Sequence, residues 1–260
     1  MSNILFVGSE CDPFVKTGGL ADVMSALPRA LANQGDLDVR VILPRYTCIP
    51  EQYRNNMTYV THFYMDFTRD CHMYYVGLME YWWNGVRFYF IDNEYFFGRG
   101  NPYTDMAGDI VPFIFFSKAV LASMCAIGFH PDIIHCHDWQ AALVPVYLHT
   151  VYEGNPFYNG TKTVLTIHNL HFQGIANIDT VKYHSNIPEY AFSPDRLEFN
   201  ADANIMKGGI VYSNFVTTVS HTYANEIRTP EYGEALDGVL NDYAYKLGGI
   251  VNGVDYDVYN

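Results

Sequence analysis

The chain has 260 residues, 49 % of them apolar, and a formal net charge of −13. That is enough apolar material for one large core or two small ones. So acidic a surface repels nucleic-acid phosphates and disfavours such a partner, while a small anionic ligand stays open because a local site can oppose the global charge.

The elements begin with "NILFVGSE" (3–10), a short apolar run that reads as a buried parallel strand. A loop through Pro13, Gly18 and Gly19 follows. Next comes a helical pattern with Leu20, Val23, Met24, Leu27, Ala30 and Leu31 on one face and Gly35 as its stop. Pro28 lies inside that pattern and predicts a kink. "DVRVILPRY" (38–46) reads as the second strand and completes a βαβ unit. Residues 57–92 are rich in aromatic and β-branched types, and Asn84-Gly85 is a strong type I′ hairpin signal, so antiparallel strands are expected as an insertion.

Residues 110–128 read as a mostly buried helix with Pro112 near its start. "PDIIHCHDW" (131–139) is a strand leading straight into a helix. "TKTVLTIHNLHFQG" (161–174) is a strand running into a loop, and "DANIMKGGIVYSN" is helical in part. "FVTTVS" (215–220) is a strand, "HTYANEIRT" starts a helix, and "GGIVNGVD" is a final strand and turn. The alternation predicts an α/β fold, a Rossmann-like doubly wound and mostly parallel sheet of six or seven strands with a β-hairpin insertion.

Five cysteines, an odd number with no C-x-x-C pair, and an N-terminus without a basic region or a long apolar stretch point to a reduced, cytoplasmic protein without a signal peptide. No uninterrupted apolar run reaches ~18 residues, so no membrane span is expected. The 22 tyrosines suit sugar recognition, ring face to C–H face, but ordinary core and surface packing accounts for them better.

In an open parallel sheet, ligands sit beyond the carboxyl ends of the strands. Here those ends carry Glu10, Lys16, Thr17, Gly18 and Gly19; Asp138 and Trp139; His168, Asn169 and His171; His221; and Asn252 and Asp255. Each has a plain structural reading: a glycine turn, a solvated lysine, Asp22 favoured by the helix dipole, Asp138 as a helix cap. His135 and His137 share a strand face and have zinc-ligand character, but no further His/Cys pair completes a set, so no metal is assigned. The argument for function is joint, since several independent strands place polar groups on one edge.

"SECDPFVKTGGLADVMSALPRAL", "VRVILPRY", "HCHDWQAAL", "TIHNLHFQG", "NIMKGGIVYSNFVTTVS", "YANEI", "EYGEALDG" and "KLGGIVNGVD", in that order, resemble the N-terminal half of the bacterial glycogen synthase / starch synthase family. The resemblance implies a GT-B architecture of two Rossmann-like domains facing across a cleft. Residues 1–260 are then the N-terminal, mainly acceptor-binding domain. The C-terminal nucleotide-binding domain, with the diphosphate-binding Arg/Lys pair and a catalytic glutamate, lies outside this chain, which ends as a strand finishes and reads as a piece of a longer protein.

The implied activity is retaining transfer of glucose from ADP-glucose to the non-reducing end of an α-1,4-glucan, glycogen or a maltooligosaccharide. No cofactor, metal or membrane is involved, and the chain alone is expected to be inactive. Motif match gives catalytic roles to His168, Asp138 and Lys16. Lys16 and Gly19 approach the donor phosphates, Gly18 and Asn169 are substrate-binding, and Asp22, Tyr103, Asp138, Trp139 and Asn252 line the acceptor side. Four positions depart from the family pattern: Thr104 for histidine, Pro112 for arginine, His221 for proline and Ala235 for glycine. The alternatives are a UDP-sugar-dependent transferase of the same fold and a non-catalytic glucan-binding or regulatory module derived from it.

Overall fold

The structure, a computed structural model, describes residues 2–253. β1 (Ser2–Val7) lies in the middle of a nine-stranded sheet, and its second half is fully buried. α1 (Gly19–Ala32) carries the chain to β2 (Leu37–Pro44), which pairs with β1 in parallel from Ser2↔Leu37 to Val7↔Ile42. α1 runs unbroken through Pro28, and Gly35 takes the left-handed φ of 85° that a helix stop favours.

The one-turn α2 (Glu51–Arg54) leads to β3 (Thr58–Asp66), β4 (Met73–Trp83) and β5 (Val86–Asp92). Asn84 and Gly85 both have positive φ, 48° and 79°, as the predicted hairpin turn requires. These strands extend the main sheet at one edge instead of forming a layer of their own. β5 pairs with β2 in parallel, and β4 and β3 follow in antiparallel order. Phe14, Tyr53, Tyr81, Trp83, Phe88 and Phe90 form an aromatic cluster over this extension, so part of the aromatic excess is core.

α3 (Glu94–Phe97) precedes the longest helix, α4 (Met106–Ile127). α4 starts four residues before the predicted Ile110, because the Asp105 side chain caps it by accepting from Gly108 N at 2.7 Å. Pro112 is therefore inside the second turn and not at the helix entry. Asp109, Ser117, Lys118 and Ser123 interrupt the apolar run, yet the helix is long and apolar enough to cross a membrane, with a mean hydropathy of 2.0 over an 18-residue stretch. Most of it is buried, as a helix apolar on all sides must be.

The chain then returns across the sheet. β6 (Ile133–His137) pairs in parallel with the other flank of β1 and passes directly into α5 (Asp138–Ala141) and α6 (Leu143–Leu148). β7 (Lys162–Ile167) adds outside β6. A small antiparallel sheet of β8 (Ile175–Asn177), β9 (Glu198–Phe199) and β10 (Asp202–Asn204), with α7 (Ile178–Ser185), comes next. α8 (Ile205–Tyr212) leads to β11 (Phe215–Thr218); α9 (His221–Glu226) and α10 (Asp237–Asp242) lead to β12 (Leu247–Gly249). The order is β12-β11-β7-β6-β1-β2-β5-β4-β3. From β12 to β5 every pairing is parallel, and the direction of chain progression reverses between β1 and β6. The crevice beyond that reversal is where such folds bind ligands.

Candidate functional site

Three loops meet at the reversal. The first follows β1 and ends in the amino terminus of α1. Glu10, 3 % exposed, accepts Thr17 N at 2.5 Å and the Thr17 hydroxyl at 3.2 Å, folding the 11–18 loop back over the strand end. Burial pushes its carboxyl above the ordinary carboxylate range, against the lowering effect of those bonds. Gly18 is the N-cap residue of α1 and supplies no side-chain cap. A Cβ at Gly18 or Gly19 meets nothing within 4 Å, and both are exposed. Internal packing therefore does not require glycine here, and the open amino end of a 14-residue helix faces outward.

Lys16 stands beside that end. Its Nζ lies 2.5 Å from Asp22 Oδ1, in the first turn of α1, and 3.6 Å from Asp12 Oδ2, with all three side chains partly exposed. The ammonium is thus held at the helix mouth by surface pairs, which are individually minor in energy.

The second loop is the β6–α5 junction. Asp138 has φ of 56°, in the left-handed region, where aspartate is tolerated better than most residues. This sharp turn aims its carboxylate across at the third loop, after β7. Oδ1 accepts His168 N at 2.8 Å and Asn169 N at 3.4 Å. Crowding by protein raises the Asp138 carboxyl to about 7 despite these two bonds, although part of the residue reaches the surface.

His168 Nε2 lies 2.9 Å from His137 Nδ1, and the His137 ring stacks on His135 with centroids 4.3 Å apart. His135 is engaged by the Thr166 hydroxyl at 2.6 Å. Burial holds all three imidazoles neutral, with His135 lowered to about 3 and His168 to about 4. Among the described residues no group of three or more His, Cys, Asp or Glu side chains is placed to hold a metal ion.

The structure therefore brings Lys16, Gly18, Gly19, Asp22, Asp138, His168 and Asn169 to one edge. Tyr103 joins them from far along the chain, its hydroxyl 2.6 Å from Ser9 Oγ and 3.5 Å from Glu10 Oε1. Its loop is tied by Asp109, which accepts Thr104 N and the Thr104 hydroxyl and pairs with Arg99 at 3.2 Å, so Thr104 has a structural duty there. Trp139 differs from its expected place on an open acceptor wall. It is 3 % exposed, edge-on to Phe113 at 5.3 Å, and roofed by Gly174, where a Cβ would come within 2.4 Å of the indole. It forms the floor under the 168–174 loop. Asn169 is exposed and its Oδ1 accepts His171 N at 3.0 Å, a turn-closing bond. Asn252 is exposed after β12, and Asp255 lies outside the described residues.

Glu10 and His137 are the two residues whose local roles sequence reasoning missed. Glu10 had a signal, an acidic residue straight after a buried strand. The edge itself is open. A recess of about 270 Å3 lies at the amino ends of β2 and β5, beside Arg40, Trp82 and Arg87, away from this chemistry.

Residues 3–242 match the family described as "Starch synthase catalytic domain". The chain is 53 % identical over 260 residues to a glycogen synthase of Lachnospira eligens and 52 % identical to one of Lachnoclostridium phytofermentans, covering 54 % of each. It superposes with a TM-score of 0.90 and 33 % identity on the catalytic domain of Starch Synthase IV from Arabidopsis thaliana bound to ADP and acarbose, covering all of this chain and 53 % of that one. A sucrose-phosphate synthase from Thermosynechococcus elongatus, 14 % identical with a TM-score of 0.55, shares the fold. The chain spans about half the length of the relatives it matches.

Proposed function

Since the chain belongs to the starch synthase catalytic domain family, we propose that it is the acceptor-side half of a GT-B glucosyltransferase. That enzyme moves glucose from ADP-glucose, with retention, to the non-reducing end of an α-1,4-glucan such as glycogen or a maltooligosaccharide. A second domain supplies the nucleotide site and closes the cleft. The observation that carries this reading is the convergence of Lys16, the open amino end of α1, Asp138 and His168 on one crevice.

The chemistry follows from those groups. Glucosyl transfer passes through an oxocarbenium-like state in which negative charge builds on the departing diphosphate. A lysine and aligned helix amides fixed in advance stabilise that charge without reorganising. The Gly18-Gly19 surface lets an anion approach the backbone with no Cβ in the way. Asp138 holds the His168 amide, so the 168–169 backbone and the imidazole keep one position against the sugar. With the leaving phosphate assisting deprotonation of the acceptor hydroxyl, no protein nucleophile is needed, and no cofactor beyond the donor is used. Five unpaired cysteines support a cytoplasmic, reducing setting.

The departures from the family pattern do not favour a non-catalytic module. Thr104 is absorbed by Asp109, and Ala235 sits in a turn. ADP over UDP is favoured by the ADP in the related Arabidopsis structure. The test is incorporation of labelled glucose from ADP-glucose or UDP-glucose into glycogen, by this chain alone and by the chain joined to its second domain. Activity only in the joined protein and only from ADP-glucose is expected. Turnover by the chain alone would refute the half-site reading, and a UDP-glucose preference would refute the donor.

A further inference from the structure

We propose that His137 is a positioning residue that fixes the tautomer of His168, so that the His168 ring offers an N–H, not a lone pair, to the cleft. His137 is fully buried, stacked between His135 and His168 at centroid distances of 4.3 and 5.2 Å, with Phe6 at 5.7 Å. Its Nδ1 faces His168 Nε2 at 2.9 Å, and its Nε2 is buried with no partner. Two neutral imidazoles make such a contact only if one nitrogen carries the proton and the other does not.

Two arrangements are available. If His168 Nε2–H donates, His137 Nδ1 is bare and its own proton sits on Nε2, an N–H sealed in the core with no acceptor. If His137 Nδ1–H donates, the orphaned Nε2 holds only a lone pair. Buried N–H groups without acceptors are the rarer and costlier defect, so the second arrangement is favoured. His168 then carries its proton on Nδ1. That nitrogen bonds no described residue and, unlike His137 Nε2, is not sealed from solvent. An N–H at that nitrogen donates to an oxygen and cannot serve as a base. The identity of that oxygen as a sugar hydroxyl rests on the function proposed above; the tautomer does not.

The test is a long-range 1H–15N spectrum of the histidine rings in the labelled chain. Among its ten histidines, the two rings are assigned from the signals lost in His137→Asn and His168→Asn. His168 is expected protonated at Nδ1 and bare at Nε2. His137→Phe keeps a ring in the stack but removes the donor, and the His168 signals should move toward the Nε2–H form. His137→Asn, which returns an N–H near the Nδ1 position, should hold them. A wild-type His168 protonated at Nε2 overturns the proposal without any variant, which guards against His137→Phe failing to fold. Unmoved His168 signals in a folded His137→Phe overturn it as well.

In the complete enzyme, His137→Phe should lower kcat about tenfold, the value of one ordinary hydrogen bond. KM for glucan should be unchanged, and His137→Asn should recover most of the loss. Unchanged kcat in His137→Phe refutes the positioning role. A complete wild-type protein that transfers no glucose refutes the functional reading instead, and the ring spectrum still decides the tautomer.

Discussion

Replacing Asp138 separates its shape from its charge. Its Oδ1 accepts two backbone amides, His168 N at 2.8 Å and Asn169 N at 3.4 Å, and its backbone sits at φ of 56°. Asparagine retains the acceptor and tolerates the left-handed region, whereas alanine does neither. Losing two acceptor contacts costs about 1–2 kcal/mol, and alanine at positive φ costs about 1 kcal/mol more. Asp138→Ala should therefore be about 2–3 kcal/mol less stable than Asp138→Asn.

Charge adds a pH dependence. The folded-state carboxyl titrates at about 7 against an ordinary 3.8. Between those values the folded chain binds one proton more than the unfolded chain, so this group's contribution to stability falls as pH rises. Neither variant carries it. The advantage of Asp138→Asn over wild type should grow from near zero at about pH 4 to about 1–2 kcal/mol by about pH 7.5, after discounting for partial exposure. Urea denaturation of the three proteins at both pH values measures both effects. Equal stability of the two variants would show that the carboxylate does not hold the 168–169 loop. A wild-type deficit that shrinks as pH rises would show that the carboxyl is not raised.

Ala235 also occupies the left-handed region, φ 64°, next to Glu234 at 46°. Ala235→Gly should stabilise the chain by about 0.5–1 kcal/mol, read from the midpoint of chemical denaturation; a lower midpoint contradicts this. Gly174 combines φ of 64° with an approach of 2.4 Å between a built Cβ and the Trp139 ring. Gly174→Ala should cost about 2–4 kcal/mol, and a melting temperature within a degree of wild type would mean the loop does not rest on the indole.

Much of the fold was legible because its signals are local. The apolar runs of β1, β2, β6, β7 and β11, the Asn84-Gly85 turn and the Gly35 stop are set by neighbours in sequence. What periodicity misses is short or distant. β8, β9 and β10 have three residues or fewer and no readable alternation. The start of α4 was readable in principle, since Asp105 is a good cap, but Pro112 drew the boundary toward itself. The strand-end rule put Lys16, Asp138 and His168 on one edge, and the structure gathers them there. It could not rank depth at that edge, so it left Trp139 facing a cleft when Phe113 and Gly174 enclose it. The bond between Tyr103 and Ser9 spans 94 positions, and that between His137 and His168 spans 31; only the folded chain brings them together.

The central claim is that the crevice at the β1–β6 reversal is half of a glucosyl-transfer site with Lys16 at the leaving diphosphate. Its most direct test is the rate of glucose transfer from ADP-glucose to glycogen by the complete protein, wild type against Lys16→Ala. Lys16 is exposed and its ion pairs lie at the surface, so the fold should be unaffected, while loss of a fixed charge at the leaving group should lower kcat about 100-fold or more. A Lys16→Ala enzyme that turns over within about twofold of wild type contradicts the account.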